Sequence, residues 1–151
     1  MEMNDEFLEI NDLDWFASCR GGVIAHFATG GHGFVPDDVR QSISRYEEIY
    51  DYFYSRPEGV DVEIVEANLV EFADEAQRAR YLKSFVEMAG RGLFSHETSE
   101  QGGYKLIAKP KSALKLVDLP KLMQSSICKL PLELTDWIRC DDFAKDQMGE
   151  S

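Results

Sequence analysis

The sequence has only three cysteines, Cys19, Cys128 and Cys140, set far apart and with no CxxC pair. An odd number at long spacings argues against a disulfide framework and against a zinc knuckle. Long apolar runs are missing too: none approaches the roughly 20 residues that a membrane span needs, so no membrane association is expected. The first residues, Met1-Glu2-Met3-Asn4-Asp5-Glu6, are acidic where a secretory signal would be basic, and no apolar stretch follows. The cytoplasm is the expected location. Basic residues are scarce in the first half. Residues 1–75 hold 4 Arg or Lys against 18 Asp or Glu, a net of −14, whereas residues 76–151 carry a net of +2. A field of that sign repels nucleic acid and attracts basic proteins. It serves equally well as a plain solubility device.

What is present fits one globular domain spanning 1–151, with frayed ends near 1–6 and 145–151: at 151 residues the chain is 44% hydrophobic and 29% charged. Leu13 to Thr29 reads as a β-hairpin. Leu13, Trp15, Ala17 and Cys19 share one face with Val23, Ala25 and Phe27, Phe16 and Ile24 lie on the other, and Arg20-Gly21-Gly22 makes the turn. Pro36 opens a helix expected over 37–54, with Val39, Ile43, Tyr46, Tyr50 and Phe53 as its apolar stripe. Val60, Val62 and Ile64 alternate with Asp61 and Glu63 as in a short strand, with a helical continuation through Glu66 as the alternative. A second helix is expected over 74–90, begun by a capping-box pattern at Asp74 and Gln77 and stopped by Gly90 or Gly92. A second hairpin spans 93–109, a strand follows at Leu114–Val117, and Asp118-Leu119-Pro120 starts a short helix. Residues 130–140 are apolar enough to pack back on the core. Strands that come as hairpins predict an α+β fold with a mainly antiparallel sheet and two principal helices. Trp15, Phe27, Ile43, Tyr46, Phe53, Phe85 and Leu106 are the expected core.

Signatures of chemistry are sparse. No GxSxG elbow or Ser-x-x-Lys pair occurs, and the run Gly30-Gly31-His32-Gly33 lacks the Lys-Ser or Lys-Thr of a phosphate loop while Asp37 and Asp38 would repel a phosphate. His26 and His32 could join Cys19 as metal ligands, but their spacing matches no standard site, and His26 alternates as a satisfied strand residue would. Neither a catalytic residue nor a metal or other cofactor is expected. The exposed side of the first long helix is more suggestive. Glu48 and Tyr52 should point away from the core with Glu47 and Asp51 on the flank, a composition suited to a basic partner and equally to a solvated helix face with one stray aromatic. Glu47, Glu48, Asp51 and Tyr52 are the expected partner-binding residues.

The hairpin Asp14-Trp15-Phe16-Ala17 with Val23-Ile24-Ala25-His26-Phe27 runs into the glycine loop and Pro36. Met88-Ala89-Gly90-Arg91-Gly92-Leu93-Phe94-Ser95, Tyr104-Lys105-Leu106-Ile107-Ala108-Lys109-Pro110 and Leu116-Val117-Asp118-Leu119-Pro120 follow. This order resembles a group of small bacterial proteins, many uncharacterised, that includes suspected immunity proteins of polymorphic toxin systems. The resemblance implies an inhibitor that binds a toxin domain in the cytoplasm of the producing cell, and it carries over no functional residue. The expected partner is thus a basic toxin domain, not nucleic acid. Oligomeric state stays open. The alternatives are a small hydrolase or metal-dependent enzyme built on His26 and His32, or a housekeeping adaptor.

Overall fold

A computed structural model describes residues 1–31, 33–134 and 136–139. Two hairpins form the centre of one sheet. The first pairs β1 (Asp14–Ser18) with β2 (Ile24–Ala28), placing Trp15 opposite Phe27 and Ala17 opposite Ala25. Its turn bends through Gly21 and Gly22 at φ of 81° and 79°, a region open to glycine at little cost. The second hairpin pairs β4 (Phe94–Thr98) with β5 (Tyr104–Pro110). The hairpins abut through β2 and β4, which run parallel with His26 beside Ser95. The outer strands are short. β3 (Val62–Ile64) and β7 (Trp137–Ile138) share the outer edge of β5, both antiparallel to it, and β6 (Cys128–Lys129) lies parallel to β1. Among the described residues the sheet is therefore mixed but mostly antiparallel, and with its helices it makes an α+β fold.

The alternation of the first hairpin is realised on both faces. Trp15, Ala17, Ala25 and Phe27 pack on one side with Tyr104, Leu130, Leu132 and Ile138. Phe16 and Ile24 pack on the other with Ile49, Phe53, Met88 and Leu93. The second face is roofed by α3 (Ile43–Ser55) and α4 (Glu75–Gly90). Helix α4 starts where Asp74 accepts a hydrogen bond from the Gln77 amide at 2.8 Å, and the Gln77 side chain accepts in turn from the amide of Ala73, one residue ahead of the cap. It stops at Gly92, whose φ of 98° and close approach to Leu114 leave no room for a side chain. The first face is covered by α1 (Asp5–Ile10), by α2 (Asp37–Arg40) with the loop before it, and by Cys128, Leu130, Leu132 and Ile138. A last helix, α5 (Lys121–Ser126), buries Met123 against the second face.

Several expectations need correction. Residues 1–6 do not fray: Met3 is buried, its amide donates to the Arg40 carbonyl at 2.8 Å, and Asn4 caps α1. The helix expected over 37–54 is two helices, because Ser42 turns extended and its hydroxyl accepts from the Arg45 amide, starting α3 afresh. The strand expected at Leu114–Val117 is a 3-10 turn at Leu116–Asp118 beside a single bridge between Val23 and Lys115. Ile43 and Tyr46 are half-buried and not core residues; Ile49 and Phe53 take that role on α3, while Trp15, Phe27, Phe53, Phe85 and Leu106 are buried as expected. The fray expected near 145–151 lies outside the described residues.

Candidate functional site

Two polar constellations sit on or beside the face that α3 and α4 cover. The first is internal. His26, 1% exposed, meets the Ser95 hydroxyl through Nδ1 at 2.8 Å and the Asp14 carboxylate through Nε2 at 2.8 Å. The arrangement that satisfies all three groups has Nε2–H donating to the carboxylate and Nδ1 accepting from the hydroxyl. In chain order this is Asp, His, Ser, the composition of a hydrolytic triad. Ser95 is wholly buried between two strands, however, so its hydroxyl has no open side from which to meet a carbonyl. The trio holds strands β1, β2 and β4 in register. It is the satisfied strand histidine expected from the alternation at position 26.

The second constellation opens to solvent. One turn of an α-helix takes 3.6 residues, so side chains four apart rise nearly in line. Tyr46, Tyr50 and Tyr54 make such a ladder along one shoulder of α3, all half-buried. Ring centroids are 6.1 Å apart for the first pair and 4.3 Å for the stacked second pair. Asp14 stands at the foot of the ladder, its side chain 28% exposed, and its backbone amide donates to the Tyr46 hydroxyl at 3.3 Å. Burial, and after it the nearby Asp14 charge, raise the Tyr46 hydroxyl to about 12; burial and the same charge raise Tyr54 as well. These phenols stay protonated, and a developing cation beside them would meet neutral ring faces and a carboxylate. Arg91 lies over Tyr54 at 5.4 Å, closing the far end.

The four residues expected to bind a partner are divided by this geometry. Glu47 and Asp51 are exposed and fall on the solvent side of the tyrosine ladder. Glu48 is exposed on the opposite shoulder. Tyr52 also lies there, but it is not the exposed aromatic that was expected: it is half-buried against Phe53, its hydroxyl accepts from Arg56 at 3.0 Å, and the Arg56 guanidinium lies 5.9 Å from its ring centre. The aromatic surface next to the acidic residues is supplied by Tyr46, Tyr50 and Tyr54. Their spacing of four is visible in the sequence, but placing 46 and 50 on the apolar stripe hides it. Asp14 carried no signal, since it reaches the helix only through the fold.

The remaining expectations place simply. Cys19 and Cys128 are buried, and burial, with Asp38 and Cys19 nearby, pushes the Cys128 thiol up to about 12, far from a reactive thiolate. His32 lies outside the described residues, as does Cys140. Among the described residues no group of His, Cys, Asp and Glu is arranged to hold a metal ion, and no helix is long and apolar enough to cross a membrane. A cavity of about 20 Å³ between β1, α2 and α3 has room for one water molecule. Comparison with known proteins finds no match among protein-family models, curated proteins or solved structures.

Proposed function

We propose that the chain is a protein-binding module, an immunity protein that neutralises a basic toxin domain docked on the ladder side of α3. One observation carries the reading. Glu47 and Asp51 are exposed and make no ion pair among the described residues, and they border a half-buried aromatic strip. Four other carboxylates are compensated, Asp5 by Arg40, Asp38 by Arg45, Glu66 by Arg78 and Glu87 by Lys83; further exposed ones such as Glu63 have no such pair among the described residues, so it is the aromatic border that sets Glu47 and Asp51 apart. Uncompensated charge at the rim of tyrosine rings supports binding of a partner that brings cations, the rings supplying desolvated contact and the charges long-range steering. Glu48 and Tyr52, on the other shoulder, contribute less in this reading, because Tyr52 is already engaged by Arg56.

The test uses the product of the gene next to the one encoding this chain, as an immunity protein is expected to lie beside its toxin. Its association rate should fall steeply with added salt, and Glu47→Lys with Asp51→Lys should slow it by about tenfold or more at low salt. Glu48→Lys should slow it less. A rate insensitive to salt, with affinity unchanged in the double variant, would show that the acidic residues act only as a solubility device. A housekeeping adaptor would use the same face, and pull-down of a partner encoded elsewhere would distinguish it.

A further inference from the structure

We infer that Asp14 and the rings of Tyr46 and Tyr50 form a receptor for one arginine side chain of the basic partner. This rests on the binding reading above and names what its centre takes. A guanidinium is planar, weakly hydrated and always charged, so it can stack on an aromatic face while its edge pairs with a carboxylate. The protein already uses the stacking half of this arrangement within itself, with Arg91 over Tyr54 at 5.4 Å, Arg56 over Tyr52 at 5.9 Å and Arg139 over Trp137 at 5.7 Å. Arg91 fills the Tyr54 end of the ladder. Tyr46 and Tyr50 carry no stacked cation among the described residues.

The carboxylate is built for the role. Asp14 Oδ1 is held by His26 Nε2 at 2.8 Å, and the second oxygen has no hydrogen-bond partner among the described residues. The backbone amide of Asp14 fixes the Tyr46 hydroxyl, so anion and ring are tied to each other through the chain. A receptor held in place before binding loses little freedom when occupied. Asp14 lies close enough to raise the hydroxyls of both Tyr46 and Tyr54, so its charge reaches the length of the ladder. Glu47 and Asp51 add attraction from the solvent side. Lysine fits this place less well, because a compact ammonium keeps its water and gains little from a stacked ring.

The experiment titrates the full chain with an oligoarginine peptide and an oligolysine peptide of equal length and charge, by calorimetry at low ionic strength. The arginine peptide should bind about fivefold tighter. Tyr50→Leu should bring the arginine peptide down to the lysine peptide's affinity while leaving the latter in place. Asp14→Asn, nearly the same shape, gives a second route and should weaken the arginine peptide by a similar factor. Glu63→Gln, an exposed change on β3 at the far edge of the sheet, should alter neither. Equal affinity of the two peptides for the unmodified chain would overturn the receptor, as would a preference that survives both Tyr50→Leu and Asp14→Asn. If both peptides bind equally and Glu47→Lys weakens both, the acidic surface stands and only the arginine receptor falls; if neither binds, both fall.

Discussion

The two faces of the sheet are built to opposite rules. On one, Trp15 stacks on Phe27 at 4.3 Å and meets Tyr104 edge-on at 6.0 Å, and the Trp15 indole donates to the Tyr104 hydroxyl, which donates to the Phe34 carbonyl. On the other, Phe16 and Phe53 stack at 4.6 Å, but the same layer runs through His26 and Ser95 to the half-exposed carboxylate of Asp14. The first face spends its residues on packing. The second grades from apolar to polar within one strand, and it is there that groups able to meet a partner reach the surface.

Truncation should separate the faces most sharply. Trp15 is fully buried, so Trp15→Ala should cost about 3–5 kcal/mol, read as a lowered denaturant midpoint with an unchanged slope. A loss under 1 kcal/mol would mean that the first face is not the stabilising one. Next in size is acidification. His96 lies on the first face, stacked on Phe27 at 4.7 Å, with Nδ1–H donating to the His26 carbonyl at 3.1 Å and Nε2 without a partner among the described residues. Burial lowers it from 6.5 to about 4. Between those values the unfolded chain binds a proton that the folded chain refuses, so stability is full above the upper value and falls as pH drops towards the lower, by about 3 kcal/mol in all. Unfolding midpoints across that window should fall in the parent and stay flatter in His96→Phe; equal slopes would remove His96 as the cause. The smallest effect belongs to the second face. Ser95→Ala leaves His26 Nδ1 buried without its hydroxyl and should cost about 1–3 kcal/mol, with a shift of the His26 ring signals in the NMR spectrum. A silent variant would show that the polar row is not needed to hold the strands.

Much of this division was legible in the sequence where the contacts are local. Alternation at Trp15, Ala17, Ala25 and Phe27 against Phe16 and Ile24 announces both faces, since a strand has a period of two and the turn glycines fix the register. Asp74 and Gln77 announce α4 in the same way. What failed depends on distance. The parallel contact of β2 with β4 joins segments separated by three α-helices and a strand, and no local pattern encodes it. β6 and β7 have two residues each, too few for any periodicity to register. On α3 the expected stripe includes Tyr46 and Tyr50, which rotates it away from Ile49 and turns the foot of the ladder inward. The acidic character of the helix could be read from composition; which of its two shoulders also carries aromatic rings could not.

The outermost strands bear on how a partner can attach. β6 pairs over two residues at one margin, and the other margin is divided between the three residues of β3 and the two of β7. Lys129 and Glu63 stand exposed on these short segments. A foreign peptide seeking to extend the sheet would find neither a long row of free backbone amides nor an uncharged border, which is how many β proteins resist fibril formation. Strand addition, a common way for proteins to capture one another, is therefore poorly served here. In the proposed reading recognition falls to side chains projecting from a helix, where specificity would rest on a handful of residues and could be retuned by single substitutions without disturbing the framework beneath.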